Sequence, residues 1–554
     1  MSIRTILHFF LVLSLAAGTQ GFADEESSRT QIQQWIQQLG DESFLLRQRA
    51  ESLLIRAGIQ AYPDLQRAKQ SRDVEVAQRA EAILSQIEQT FLDSENRSIA
   101  FWVQQYMTAP SSALKAQIIW ILANPTLDLN NGEGVSMLCR LVRFEGNAAL
   151  RLEAAKSLIA SPPFLPAQRK KWYRYIQDNL HDPGDDELLQ CVAQYAKLWC
   201  ALDAANEKTT PAFQEQVRQV SAETLRLLEK PENGILPGSG VDILLRYAVA
   251  ELQDAAGLNE DRDKVVSAAL AVQADTTRET ELTLFVGLDD ELPINEHFYV
   301  GQCLRWRYRF HWALPHFQKV IETGHVLVRV EASEEAAKIA LYLADYSSAA
   351  SFFGKRIEIL QSPDYKGSNT AQLVPLAQRQ KAYCLAEKAS AEENWTAASE
   401  AVLQALAVSN ARIAVDDIDL VILAHRICKQ RSDVDQEFRD KAGQILKQVW
   451  QSIVDDYNRV PELRVEKLPG TCNSAAWLLA NTDGDFQSAL TLVEAALKAA
   501  PDDPSILDTL AHVYFLGGKF DEAIRVQEDV VRAAPEAVVF HRALERFKRA
   551  QADE

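Results

Sequence analysis

Four residues recur at one fixed interval near the C-terminus. Gly484, Phe486, Ala489 and Pro501 are followed 34 residues later by Gly518, Phe520, Ala523 and Pro535, and Trp477 maps onto Ala511. A repeated unit of this size buries its apolar face only against its neighbours, so the period restricts the fold to a stacked array. Within the last unit Leu507, Leu510, Ala511 and Tyr514 fall at i, i+3, i+4 and i+7, which is one face of a helix. Ala511 and Ala523 are small, so two helices can approach closely. Gly518 sits where the chain must reverse, and Pro535 ends the second helix. The 554 residues exceed one ordinary core, and the Ala-, Leu-, Glu- and Gln-rich tracts favour helix throughout. The expectation is an all-α chain built from helical hairpins.

The pattern resembles the tetratricopeptide repeat family. In "PSILDTLAHVYFLGGKFDEAIRVQEDVVRAAP", residues Leu507, Leu510, Ala511, Tyr514, Gly518, Phe520, Ala523 and Pro535 stand at signature positions. Gln527 departs, since the family usually has a bulky apolar residue there. The preceding unit carries Ala475, Ala476 and Trp477 in its first helix and Val493 and Ala496 in its second. Weaker copies hold Ala386, Trp395, Ala398, Val402 and Ala405, and then Tyr346, Ala349 and Phe353. Gly301, Leu304, Phe310, Ala313 and Phe317 repeat the spacings of Ala511, Tyr514, Phe520, Ala523 and Gln527. By that register the unusual stretch "RWRYRFHWA" (305–313) is the end of one helix, a turn, and the start of the next.

The N-terminal third has another pattern. "RQRAESLL" (47–54) and "AQRAEAIL" (77–84) share Gln-Arg-Ala-Glu 30 residues apart. Pro63 opens one helix between them and Ser71-Arg72-Asp73 caps the next. Pro63, Leu65, Asp73, Val76, Arg79 and Ala80 resemble a HEAT-like repeat, with 147–160 as a third copy. The resulting plan is an α-solenoid of helical hairpins, HEAT-like pairs followed by tetratricopeptide units. Its segments are an export signal (1–23), HEAT-like repeats (24–160), unassigned hairpins (161–290), degenerate tetratricopeptide-like units (291–465), and a C-terminal pair with a capping helix (470–554). The acidic, aperiodic stretch 275–297 is the expected hinge, and 458–471 reads as a linker.

The N-terminus reads as a secretory signal. Arg4 provides the positive region, residues 6–17 the apolar core, and Gly21-Phe22-Ala23 the small residues before a cleavage site. The alternative is an uncleaved anchor, although the core is shorter than the roughly 20 residues a membrane helix needs. No other stretch is apolar enough to span. The predicted location is the periplasm or cell envelope, or outside the cell. The formal charge is −19, a sign that opposes nucleic acid and anionic membranes. The seven cysteines lack zinc-ligand spacing and read as scattered buried thiols, and the nine histidines form no metal motif. Neither a cofactor nor a metal is expected.

The resemblance implies that first-helix residues line a concave groove. In this register Phe298, Gln302 and Arg305 face it in one unit, Ser474 and Leu478 in the penultimate one, and Asp508, His512 and Phe515 in the last. The Lys and Asn residues with which some members hold a terminal carboxylate are absent. Two readings of 305–313 stand side by side. Arg305, Arg307 and Arg309 pair with acids on neighbouring helices, or Arg305, Trp306 and Arg309 hold an acidic or aromatic partner segment. The expected function is a scaffold that binds a peptide or protein segment without chemistry. The rival is a cell-envelope enzyme acting on peptidoglycan or glycan, or its accessory subunit, with a catalytic acid in 164–290.

Overall fold

The computed structural model describes residues 22–91, 97–123, 132–161, 166–180, 183, 186–204, 210–228, 240–272, 295–367, 369–408, 417–431, 435–458 and 469–553. Residues 1–21 of the expected signal, 275–294 of the expected hinge and 459–468 of the expected linker lie outside them. The described residues form 26 α-helices, one 3₁₀ turn and no strand. The chain divides into two compact units, residues 2–296 and residues 297–554.

The first unit contains α1 (Phe22–Gln38), α2 (Phe44–Ala57), α3 (Tyr62–Ala68), α4 (Val74–Phe91), α5 (Arg97–Thr108), α6 (Ser112–Leu122), α7 (Glu133–Phe144), α8 (Ala148–Ala160), α9 (Pro166–Asn179), α10 (Glu187–Ala204), α11 (Pro211–Leu228), α12 (Gly240–Ala255) and α13 (Asn259–Ala271). Side-chain caps start several of them, satisfying amides that have no partner within the helix. Asp73 Oδ1 accepts from the amides of Glu75 (2.9 Å) and Val76 (3.3 Å). Asn147 Oδ1 does the same for Ala149 and Leu150 at 3.0 and 3.2 Å. The two Gln-Arg-Ala-Glu copies lie against each other. Ala50 and Ala80 are both fully buried, and Arg79 of the second copy pairs with Glu51 of the first at 2.7 Å.

The second unit contains α14 (Glu296–Trp306), α15 (Phe310–Thr323), α16 (Val326–Tyr342), α17 (Tyr346–Leu360), α18 (Thr370–Ala391), α19 (Trp395–Ala407), α20 (Ile418–Gln430), α21 (Gln436–Asn458), α22 (Pro469–Asn481), α23 (Phe486–Ala499), α24 (Pro504–Leu516), α25 (Phe520–Ala533) and α26 (Val538–Ala552). Five hairpins in it share one turn. Tyr308, Ala344, Glu393, Asp483 and Gly518 all take φ between 53° and 68°. In each case the next amide donates to a carbonyl five residues back. The bonds are Arg309 to Leu304 (2.9 Å), Asp345 to Ala340 (2.8 Å), Asn394 to Ala389 (2.8 Å), Gly484 to Leu479 (2.9 Å) and Lys519 to Tyr514 (2.9 Å). This is the Schellman closure of a helix C-terminus. Four of the five positions are not glycine, and a left-handed L-residue costs about 1–2 kcal/mol. The packing of the hairpin therefore imposes the turn, and local preference does not.

Small residues set the helix spacing, as the repeat pattern requires. Ala313, Ala349, Ala386, Ala398, Ala489, Ala511 and Ala523 are at most 1% exposed, and so are Leu304, Phe310 and Phe317. At Gly301 a Cβ would stand 3.0 Å from the Phe317 ring. Gln527, the departure from the apolar pattern, is fully buried. Its amide donates to Asp508 Oδ1 at 2.7 Å and to the Phe540 carbonyl at 3.2 Å, tying α25 to α24 and α26.

Candidate binding surface of the C-terminal array

The stretch 305–313 is a repeat turn. Tyr308 occupies its left-handed position and Phe310 is buried at the start of the second helix. Arg305 ion-pairs with Glu335 of α16 at 2.5 Å. The Arg309 guanidinium lies 5.1 Å from the Trp312 ring centroid. The turn also meets the far end of the same unit. The Tyr308 and Tyr342 hydroxyls lie 3.1 and 3.5 Å from Ser505 Oγ, and Phe540 packs on both rings at 6.3 and 5.8 Å. Both the amide and Nδ1 of His311 lie 2.9 Å from Glu536 Oε2. First and last hairpins thus hold each other through α24 and α26.

Of the groove residues read from the sequence, Gln302, Asp508 and His512 are buried, and Phe298, Arg305, Trp306, Arg309 and Phe515 are half-buried. The terminal helix packs over the α24 residues among them. His512 lies between Trp477 (4.6 Å) and Phe547 (5.1 Å), with Asn481 Oδ1 at 2.9 Å and an Arg546 nitrogen at 3.2 Å from its Nδ1. Phe515 stacks on Phe547 at 4.7 Å. Burial pushes the Asp508 carboxyl up to about 7, against the pull of Gln527 and Arg546. Burial and the Arg546 charge together hold His512 well below the usual imidazole range.

A second group of residues, unmarked by any motif, brings charged and aromatic side chains together from several hairpins. Glu331 and Asp419 are solvent-exposed, yet desolvation by surrounding protein raises both carboxyls above their usual range. Like charge from Glu334 and Glu335 adds to the shift at Glu331, and the Trp477 hydrogen bond opposes it at Asp419. The Trp477 indole donates to Asp419 Oδ1 at 2.9 Å. Tyr383 lies beside Glu387, Asp419 and Tyr346, and burial followed by those charges raises its phenol far above the ordinary value. Arg426 pairs with Glu387 at 2.7 Å. Burial also raises Tyr346, with Glu387 adding to it and Arg542 and Arg426 opposing. These residues come from α16, α17, α18, α20, α22 and α26. Alternating charges also line α16. Lys338 bridges Glu334 (2.8 Å) and Glu335 (3.0 Å), and Arg356 pairs with Glu334.

Residues 480–551 match the family model of the tetratricopeptide repeat. The C-terminal hairpins are tetratricopeptide repeats. The match spans α23 to α26, so the terminal helix lies within it as well as the last two turns. No curated protein matches the chain in sequence. Among solved structures, a human IFIT1 dimer with PPP-AAAA shares 15% identity over 87% of this chain and 94% of its own, at a TM-score of 0.22. The APC/C hetero-tetramer Cut9–Hcn1 shares 11% over 90% and 98%, at 0.27. Naa15/Naa10 bound to HypK-THB shares 11% over 95% and 97%, at 0.18. Scores this low carry no argument about function, which rests on the repeat interior itself.

Elsewhere several buried charges are ion-paired. In the segment 164–290, Glu251 is fully buried and ion-paired with Arg169 at 3.4 Å, and Asp242 holds Lys156 at 2.8 Å. Cys139, Cys191, Cys303, Cys384 and Cys472 are buried free thiols, with Cys191 and Cys303 pushed up to about 11 by burial. Among the described residues no group of histidine, cysteine and carboxylate side chains could hold a metal ion. No described helix is long and apolar enough to cross a membrane.

Proposed function

We propose that the chain is an exported adaptor that grips an extended segment of a protein partner along the interior of its tetratricopeptide repeats and performs no chemistry. The observation that carries the reading is this gathering of side chains. Tyr346, Tyr383 and Trp477 present aromatic surface beside Glu387, Asp419, Arg426 and Arg542, drawn from successive hairpins. Aromatic anchors with a few polar groups between them suit an extended chain, which offers one side chain per pocket. The net charge of −19 favours a protein partner over nucleic acid. Export is supported by the signal-like order of Arg4, the apolar core and Ala23. Placement in the periplasm or cell envelope follows from it.

A photo-crosslinking residue at Tyr383 tests the groove, with another at the exposed Glu400 of α19 as the outward control. The expected result is a discrete protein adduct from position 383 that position 400 does not give. The same adducts at both positions, or none at 383, would sink the reading. Sequencing the N-terminus of the mature protein tests export, the expected first residue being Asp24. An intact Met1 in protein recovered from the cytosol would overturn it.

A further inference from the structure

We propose that Arg426, Arg542 and Arg546 form a subsite for carboxylates, so that the segment held in the interior is an acidic one. The proposal rests on the groove reading above and names the chemistry of what the groove holds. Its first support is convergence. Arg426 comes from α20, while Arg542 and Arg546 come from α26, one helical turn apart. Arg426 and Arg542 lie near Tyr346, and Arg546 lies beside His512 at 3.2 Å and near Arg426. Glu387 pairs with Arg426 at 2.7 Å while Ser390 Oγ lies 3.3 Å from the same nitrogen. Asp508 also faces Arg546, its carboxyl raised by burial against the pull of Gln527 and Arg546.

The second support is preorganisation. Arg546 lies 5.1 Å from the centroids of both Phe515 and Phe547, which fix its guanidinium in one orientation. Arg542 lies against the Tyr346 phenol. Both arginines are exposed, so water now solvates edges that a carboxylate can take. Burial lowers the Arg546 pKa from its ordinary value, Asp508 opposes, and the nearby Arg426 adds to the lowering. An anion between the two arginines relieves their repulsion and meets guanidinium forks shaped for two oxygens. The terminal helix is then part of the binding surface as well as an end cap. It adds a basic sector to a chain whose overall charge is −19.

Fluorescence anisotropy of labelled hexaglutamate against the full chain at low salt tests the subsite, with hexaserine and a six-nucleotide single-stranded RNA beside it. Hexaglutamate should bind, hexaserine should not, and Arg542→Ala/Arg546→Ala should weaken binding by about tenfold or more. The single variant Arg542→Ala, which removes no aromatic stack, should weaken it in the same direction with helicity unchanged. Arg542→Lys/Arg546→Lys should recover part of the loss. Absent hexaglutamate binding, equal binding by the alanine variants, or tighter binding of the RNA would overturn the subsite. The adduct from position 383 separates the two ideas. If it persists while hexaglutamate fails, the groove stands and its acidic preference falls. If both fail, the groove falls too.

Discussion

The two units solve the same problem in different ways. Both are helical hairpins with alanine-spaced cores, and both carry more polar side chains than an apolar core would hold. The first unit encloses them in pairs. Lys156 is 2% exposed between Glu153 and Asp242, and the Tyr106 hydroxyl donates to the buried Glu145 at 2.7 Å. The second unit encloses some as well, Arg379 with Asp417 at 2.6 Å, but it also leaves charged groups wetted, as at Glu331, Asp419 and Arg546. An enclosed pair contributes mainly to holding a fold together. A wetted row of charges and aromatics, repeated from hairpin to hairpin, is available to something else.

The largest test of this contrast is Lys156→Ala. It strands two carboxylates in the first unit and should cost about 3–5 kcal/mol. Hydrogen exchange should show the loss of protection in α8 and α12, with the hairpins after residue 297 unchanged. An equal loss in both units would break the comparison.

The second test is pH. His297 and His316 share a buried hydrogen bond at 2.8 Å between their Nδ1 atoms. Desolvation lowers His297 to about 4, and desolvation with the neighbouring ring lowers His316 to about 3. Between pH 6.5 and about 4 the unfolded chain takes up protons that the folded chain refuses, so stability falls as pH falls. Urea midpoints should register about 2 kcal/mol per ring between pH 7 and pH 5. His297→Gln/His316→Gln should flatten that slope, and an unchanged slope would remove the pair from the account.

Arg305→Ala should have a smaller effect, about 1–2 kcal/mol, because Glu335 keeps Lys338 at 3.0 Å. Thermal denaturation of this variant beside Lys156→Ala compares a charge left with a partner against one left enclosed. A loss as large as that of Lys156→Ala would contradict the comparison.

The smallest effects belong to the shared turn. Gly518→Ala should destabilise by about 1 kcal/mol, since φ is +68° and no atom within 4 Å hinders the new methyl. Ala344→Gly should stabilise by about 0.5 kcal/mol, the relief of its left-handed backbone being partly offset by unfolded-chain entropy. Changes of the same sign would show that the turns are held by something other than backbone geometry.

What was legible in the sequence was whatever repeats at short range. The small residues, the closing Pro535 and the turn at Gly518 marked the hairpins, and the same spacings placed Phe310 and Ala313 correctly inside the first one. Left-handed turns at Tyr308 and Glu393 were not legible, because neither residue favours that backbone and the surrounding packing imposes it; Asp483 tolerates it but carries no signal on its own. The register set Asp508, His512 and Phe515 on the groove face of α24. It had no means of showing that α26 brings Phe547 and Arg546 over them. Gln527 stood out as a misfit, but its reason, the carboxyl of Asp508, lies in another helix. Arg426, Arg542 and Tyr346 belong to no motif. They meet only because hairpins far apart in the chain curve toward one another.

The contact of Tyr308 and Tyr342 with Ser505 and Phe540 has a kinetic consequence. An open repeat array adds its hairpins by nearest-neighbour contacts and frays from either end. Here the ends are stitched to each other across nearly 200 residues of chain. That raises the contact order of an otherwise local fold and makes the stitch a late step, formed after the intervening hairpins have shortened the span. Once formed, it leaves the array without a free terminus to melt from, and the first and last hairpins open as one event.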